Sequence, residues 1–169
     1  MLANTELWHE ISRGIDVPHA LRHRLPVHCP NKGERPPLRI VVVYDGIAGL
    51  VRADEVWFRL IARFQDEIQI VSCAWNFTLL RDPQLHDRAA LHTAEANMIV
   101  LSASGRTHLP GYIRDWMSLW LPSKKGRCDA LVAVLDREPR GRVTALPLRN
   151  YLQHTAEQNG MDFFCNAGL

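Results

Sequence analysis

Cysteine is scarce in this sequence: four residues among 169, Cys29, Cys73, Cys128 and Cys165, with no Cys-x-x-Cys pair. That spacing excludes a paired-cysteine zinc site and a dense disulfide framework, and it points to a reducing compartment. Cys73 and Cys165 fall in strand-like apolar runs, where a free thiol serves as a small hydrophobe. Long apolar runs are missing as well. The longest are strand-sized, and nothing approaches the roughly 20 residues of a membrane span. Nor is there an excess of one charge sign: 20 Lys and Arg face 18 Asp and Glu, a formal net charge of +2. This balance argues against a nucleic-acid coat or a membrane-surface clamp, so neither nucleic acid nor membrane is expected as a partner. Met1 to Glu10 place Trp8, His9 and Glu10 where a secretory signal needs an apolar run, and the expected location is the cytoplasm of a bacterium-like cell. What is present, 47% hydrophobic and 22% charged residues, is the profile of one globular domain.

From Leu38 onward strand-like and helix-like patterns alternate. Leu38 to Tyr44 is a nearly continuous β-branched run, as in a strand covered on both faces. Arg52 to Phe64 follows, with Trp57, Leu60, Ile61 and Phe64 on one helical stripe. Glu67 to Ala74 reads as a second strand. Asp82-Pro83 supplies an N-cap and a first-turn proline for a helix through Leu85, Ala89, Ala90 and Ala94. Met98 to Ser102 is the third strand. After Leu109-Pro110-Gly111, the spacing of Ile113, Trp116, Met117, Trp120 and Leu121 predicts a helix closed by Pro122 and Gly126. Asp129 to Asp136 is the fourth strand. Leu146 to Gln158 is the fourth helix, stopped by Asn159-Gly160, and Met161 to Cys165 the fifth strand.

Strands alternating with helices call for parallel pairing through right-handed crossovers. The expected fold is a three-layer α/β/α sandwich with a five-stranded parallel sheet in the flavodoxin-like order 2-1-3-4-5, formed by residues 38–169. No helix is expected after the fifth strand. Thr5 to Arg13, with Leu7, Trp8 and Ile11 on one face, predicts an N-terminal helix packed where that last helix would lie. Residues 16–37, with Pro18, Pro26, Pro30, Pro36 and Pro37, read as an irregular connector, so 1–37 form a helical extension packed on the domain. His19, His23, His28 and Cys29 are of ligand type, but Pro26 interrupts them, no second cluster completes a tetrahedral site, and no metal is expected.

In an open parallel sheet ligands bind beyond the carboxyl ends of the strands, most often at the switch point between strands one and three. That rule selects Tyr44 to Gly49, Trp75 to Phe77, Ser102 to His108, Asp136 to Arg142 and Asn166. The opposite edge carries Ser123 to Arg127, expected to be a solvated charged loop. Ala96 to Ser102, continuing through Leu109-Pro110-Gly111-Tyr112-Ile113-Arg114, resembles the third strand, flavin-facing loop and following helix of flavodoxin-like NADPH-dependent FMN reductases. The resemblance implies a flavin at this edge and, if the chain is an enzyme, a flavin-dependent oxidoreductase. It departs from the family at two places. Ala103-Ser104-Gly105-Arg106 stands where the reductases carry a Pro-x-Tyr-Asn-like group, and Asp45-Gly46-Ile47-Ala48-Gly49 lacks the hydroxyls that cradle the FMN phosphate. The chain is also similar to response-regulator receiver domains in strand order and in Asp45, but Ser102 or Ser104 and Asn166 replace the phospho-accepting aspartate and the lysine.

The candidate ligand contacts are Tyr44, Asp45, Gly46, Trp75, Ser102, Ser104, Gly105, Arg106, Asp136 and Arg137. Asp45 suits a metal, a ribose hydroxyl, a substrate amine or the cap of the next helix, and Asp136 has the same range. Ser102 and Ser104 suit hydrogen bonds to an anionic group, with Gly105 admitting close approach to the backbone. As nucleophiles they lack a Gly-x-Ser-x-Gly setting. Arg106, Arg137, Arg140 and Arg142 match a phosphate or carboxylate, or are solvated loop residues. Trp75 and Phe77 either stack on a ring or cover the core end, which is expected of at least one. Trp57, Trp116 and Trp120 are assigned to the core, His86, His92 and His154 to helix surfaces, and Tyr112 and Leu119 to a homodimer contact. Two functions follow: binding of a small anionic or nucleotide-like ligand, FMN among them, or a non-catalytic flavodoxin-like or receiver-like domain working through protein contacts. The extension carries the nearest prediction: deletion of residues 1–15 markedly lowers the urea midpoint, whereas an unchanged midpoint would mean the sheet does without it.

Overall fold

The computed structural model describes residues 37–64, 69–104, 107–135 and 145–165. The strands are β1 (Leu38–Tyr44), β2 (Ile70–Asn76), β3 (Met98–Ala103), β4 (Ala130–Leu135) and β5 (Asp162–Cys165). The helices are α1 (Ile47–Phe64), α2 (Pro83–Glu95), α3 (Gly111–Trp120) and α4 (Leu146–Gln158). All pairings are parallel, in the order β2-β1-β3-β4-β5. The fold is the α/β flavodoxin-like sandwich expected. The helix expected over Thr5–Arg13 and the connector after it lie outside the described residues. No helix among the described residues is long and apolar enough to cross a membrane.

Alternation along the strands divides the core. Ile40, Val42 and Tyr44 of β1, Val100 of β3, and Val132 and Val134 of β4 form one cluster, covered by Leu50, Ala53, Val56 and Trp57 of α1. The intervening residues Val41, Val43, Ile99, Leu101, Leu131 and Ala133 point the other way and are also buried. That double burial is why the strands read as continuous apolar runs. Trp116 and Trp120 of α3 are buried edge to face, ring centroids 5.5 Å apart. Asp82 caps α2 as its sequence implies: one carboxylate oxygen accepts from the Gln84 amide at 2.9 Å and the Leu85 amide at 3.3 Å. Phe164 of β5 remains 55% exposed.

Several boundaries differ from the expectation. Helix α1 begins at Ile47, not Arg52, because Leu50 and Ala53 pack on the sheet and extend the helix back through a stretch whose glycines suggest a loop. The side chains of Leu60, Ile61 and Phe64 fall outside the described set. Strand β2 continues to Asn76 because Trp75 and Asn76 pair with Val43 and Tyr44. Asp129 precedes β4, and its carbonyl accepts the Asp162 amide at 3.0 Å, aligning β5.

The turn expected to be solvated is the largest correction. Leu121–Lys124 form a 3-10 turn, and Lys124 is fully buried. Its ammonium donates to the carbonyls of Ala94 at 3.1 Å and Ala96 at 2.5 Å, and lies 3.2 Å from the Asp129 carboxylate. Arg127 Nε approaches the same carboxylate at 2.9 Å, while its Nη1 donates to the Ala94 carbonyl at 3.2 Å. The reason is the end of α2: its last carbonyls have no intrahelical donors, and two cations from the connection between α3 and β4 supply them. Burial holds the Lys124 ammonium below the ordinary lysine range, against the pull of Asp129. Asp129→Ala leaves that ammonium without its counter-charge and is expected to cost about 3–5 kcal/mol in urea unfolding. A loss no larger than that of a typical surface substitution would show that the helix-end carbonyls alone hold the lysine.

Candidate functional site

The carboxyl ends of β1 and β3 meet at the switch point, and the chain ties them together there. The Asp45 amide donates to the Ser102 carbonyl at 3.2 Å, continuing the strand pairing by one residue. Its side chain turns across the gap, and Oδ2 accepts the Ser104 amide at 2.7 Å. The Ser102 hydroxyl, fully buried, donates to the Gly49 carbonyl in the first turn of α1 at 2.7 Å. One turn further, Arg52 Nη2 donates to the Ser104 hydroxyl. Thus Asp45, Gly49 and Arg52 on one side and Ser102 and Ser104 on the other form a latch between the β1–α1 turn and the loop after β3.

The two glycines of the turn differ in what they allow. A Cβ on Gly46 would meet nothing within 4 Å, whereas one on Gly49 would lie 2.7 Å from Asp45 Oδ1 and 3.3 Å from the Ser102 carbonyl oxygen. Gly49 therefore lets α1 approach the end of β3 closely. The Asp45 carboxylate stands two residues before Ile47, the start of α1. Exposed amides and the helix dipole favour negative charge at that end, the place where this topology ordinarily accepts an anion. Here the chain supplies a carboxylate of its own.

Behind the latch, Tyr44 is buried and its carbonyl accepts the Phe77 amide at 2.8 Å. Burial raises its phenol above the usual range, opposed by a hydrogen bond with the Asn76 side chain. Asn76 Oδ1 also accepts the Thr78 amide at 2.8 Å, turning the chain after β2. Trp75 and Phe77 are each 1% exposed, so both cover the core end and neither ring is presented for stacking on a ligand. The Trp75 ring lies 5.8 Å from that of His92.

His92, expected on a helix surface, is half-buried, with its pKa lowered chiefly by burial and further by Arg88. Its Nδ1 is 3.9 Å from Cys73 Sγ. Burial pushes the Cys73 thiol up to about 11, against a hydrogen bond with the Trp75 side chain. A thiol that keeps its proton to that pH is a weak nucleophile at neutrality, in line with its reading as a small core residue. Tyr112 is half-buried under the Arg81 guanidinium, whose Cζ is 5.1 Å from the ring centroid, and Leu119 is exposed.

The structure thus joins three of the sequence candidates, Asp45, Ser102 and Ser104, with Tyr44 and Gly46 beside them. It withdraws Trp75 into the core. Gly105, Arg106, Asp136 and Arg137 lie outside the described residues, as do Arg140, Arg142 and Asn166. Arg52 is the member that sequence reasoning missed, because the helix was begun at that residue. Started at Ile47, the helix places Gly49 and Arg52 at i and i+3 on one face.

No protein-family model matches the chain, and no curated protein is similar to it. The latch itself yields a prediction. Gly49→Ala forces the Asp45 carboxylate off the Ser104 amide and is expected to cost about 1–3 kcal/mol, the usual range for overpacking. The same substitution in an Asp45→Ala background should cost clearly less, because the obstructing oxygen is gone. Additive losses in the four-member cycle of urea-unfolding free energies would show that the two sites act independently.

Proposed function

We propose that the domain binds a small anionic or nucleotide-like ligand at the carboxyl edge of its sheet, and holds it without a phosphate cradle in the β1–α1 turn. The observation that carries this reading is the Asp45 carboxylate, which lies before the first turn of α1 and accepts the Ser104 amide. A negative group already there repels a ligand phosphate from that seat. The ligand is therefore directed to the loops after β3 and β4, where the sequence supplies Ser104, Gly105, Arg106, Asp136 and Arg137. Flavin is one candidate, through the resemblance to FMN reductases. A bound flavin would carry any redox chemistry, and the protein would position and tune it.

A second reading, a non-catalytic domain working through protein contacts, draws on a different observation. Ile47 is 67% exposed and Val51 50%, one turn apart on α1 beside the latch. With the anion seat filled from within, these residues offer an apolar patch to another protein, including a second copy.

Titration of the full chain with FMN and riboflavin, followed by flavin fluorescence, separates the two. The ligand reading with a closed β1–α1 seat predicts saturable quenching. Any preference for FMN over riboflavin then arises at the loops after β3 and β4, and is unchanged by Gly46→Asp, a position with room for a side chain. Loss of that preference in Gly46→Asp would restore a phosphate cradle in the β1–α1 turn. No quenching by either flavin, and no saturable heat with adenosine nucleotides, would favour the protein-contact reading, in which Ile47→Glu rather than Ser104→Ala abolishes function.

A further inference from the structure

A small cavity lies on the same carboxyl side of the sheet as the switch point. It is a crevice of about 200 Å3 lined by His108 and Leu109 from the connection after β3, Arg114 from the start of α3, and Leu148 and Tyr151 from the start of α4. Leu109 and Leu148 are buried and form an apolar floor, while His108, Arg114 and Tyr151 are exposed around it. The lining has, among the described residues, one permanent positive charge, one imidazole, one phenol and no carboxylate. Among the described residues the side chains of His108, Arg114 and Tyr151 form no hydrogen bond or ion pair with one another or with a neighbour. That contrasts with Arg39, Arg52 and Arg127, each of which holds a partner.

We propose that this crevice binds a small organic anion: a carboxylate or phosphate head on a short apolar body. The inference rests on the ligand-binding reading above and assigns it a place. Arg114 offers paired N–H donors suited to either head group, and His108 and Tyr151 add donors at the rim. Residues near the starts of α3 and α4 both enter the lining, so the positive ends of two helix dipoles add to the field that favours an anion. The leucine floor takes the apolar body. The volume is below the usual 300–1,000 Å3 of sites for drug-sized molecules, which favours a head group with a few carbons over a complete dinucleotide. An anion here is also displaced from the Asp45 carboxylate, whose charge closes the more familiar seat.

The test uses the full chain, labelled with 15N and titrated separately with benzoate, phenyl phosphate, inorganic phosphate and neutral benzamide, following backbone amide shifts. Binding of benzoate or phenyl phosphate is expected to be saturable, to move amides in 107–115 and 146–152, and to exceed that of benzamide. The stronger of the two probes identifies the head group. Arg114→Gln, an exposed position, should leave the melting temperature unchanged and weaken the stronger probe roughly tenfold or more, the loss of one charge-assisted contact. Three results would overturn the crevice. Shifts confined to 44–49 and 102–104 would return the ligand to the switch point and leave the broader reading standing. Equal binding of benzamide, or indifference to Arg114→Gln, would show no anion recognition. Absence of saturable shifts with every probe would remove the crevice, and the flavin and nucleotide titrations would then decide the broader reading separately.

Discussion

Every element of this domain is placed by one requirement: β1 lies inside a parallel sheet and must be covered on both faces while its ends remain hydrogen-bonded. β2 and β3 flank it, so its backbone groups are satisfied along both edges. Its side chains alternate between the cluster under α1 and the opposite layer. A strand in this position has no exposed face on which to carry chemistry. Polar function is forced to the strand ends, where the loops leave the sheet.

The two ends meet that demand differently. At the amino side of the sheet, the end of α2 is closed by Lys124 and Arg127 acting on its carbonyls, with Asp129 balancing the charge. Buried charges of this sort are tolerated only because each has its partners, and they define how α2, the following turn and β4 meet. At the carboxyl side, Asp45, Ser102, Ser104 and Arg52 join the first turn of α1 to the loop after β3. The first uses side chains where a helix end leaves carbonyls without partners, whereas the second ties a loop amide and a helical carbonyl to side chains across the switch point. Only the second lies where the topology places ligands.

The strand order is that of a flavodoxin-like sheet, whereas the turn after β1 departs from the anion seat this topology ordinarily provides. Asp45 is more than a missing hydroxyl, because its negative charge takes the position at the start of α1. The crevice between α3 and α4 has the reverse character, with Arg114 and His108 and, among the described residues, no acid in its lining. The carboxyl side of the sheet therefore carries an acidic group at the switch point and, in the proposed crevice, a basic one.

The sequence by itself determined the order and type of every described strand and α-helix, because strands buried on both faces and helices with one apolar stripe leave unambiguous patterns. It located the loops in which a site must lie, and it marked Asp45, Ser102 and Ser104 as the polar residues there. Tertiary structure alone decided what those residues touch. Gly49 reads as a loop residue, and only the approach of α1 to β3 makes it a helical position with no room for a side chain. Trp75 and a surface aromatic have the same local signature, and packing against α2 puts it inside. Lys124 sits in a run of charges that reads as solvated, until the carbonyls at the end of α2 are brought to it. The physical reason is common to all three. Local patterns record which faces are buried, whereas close approach, charge pairing and the meeting of loops are set by residues from separate elements, as far as 59 positions apart for Asp45 and Ser104.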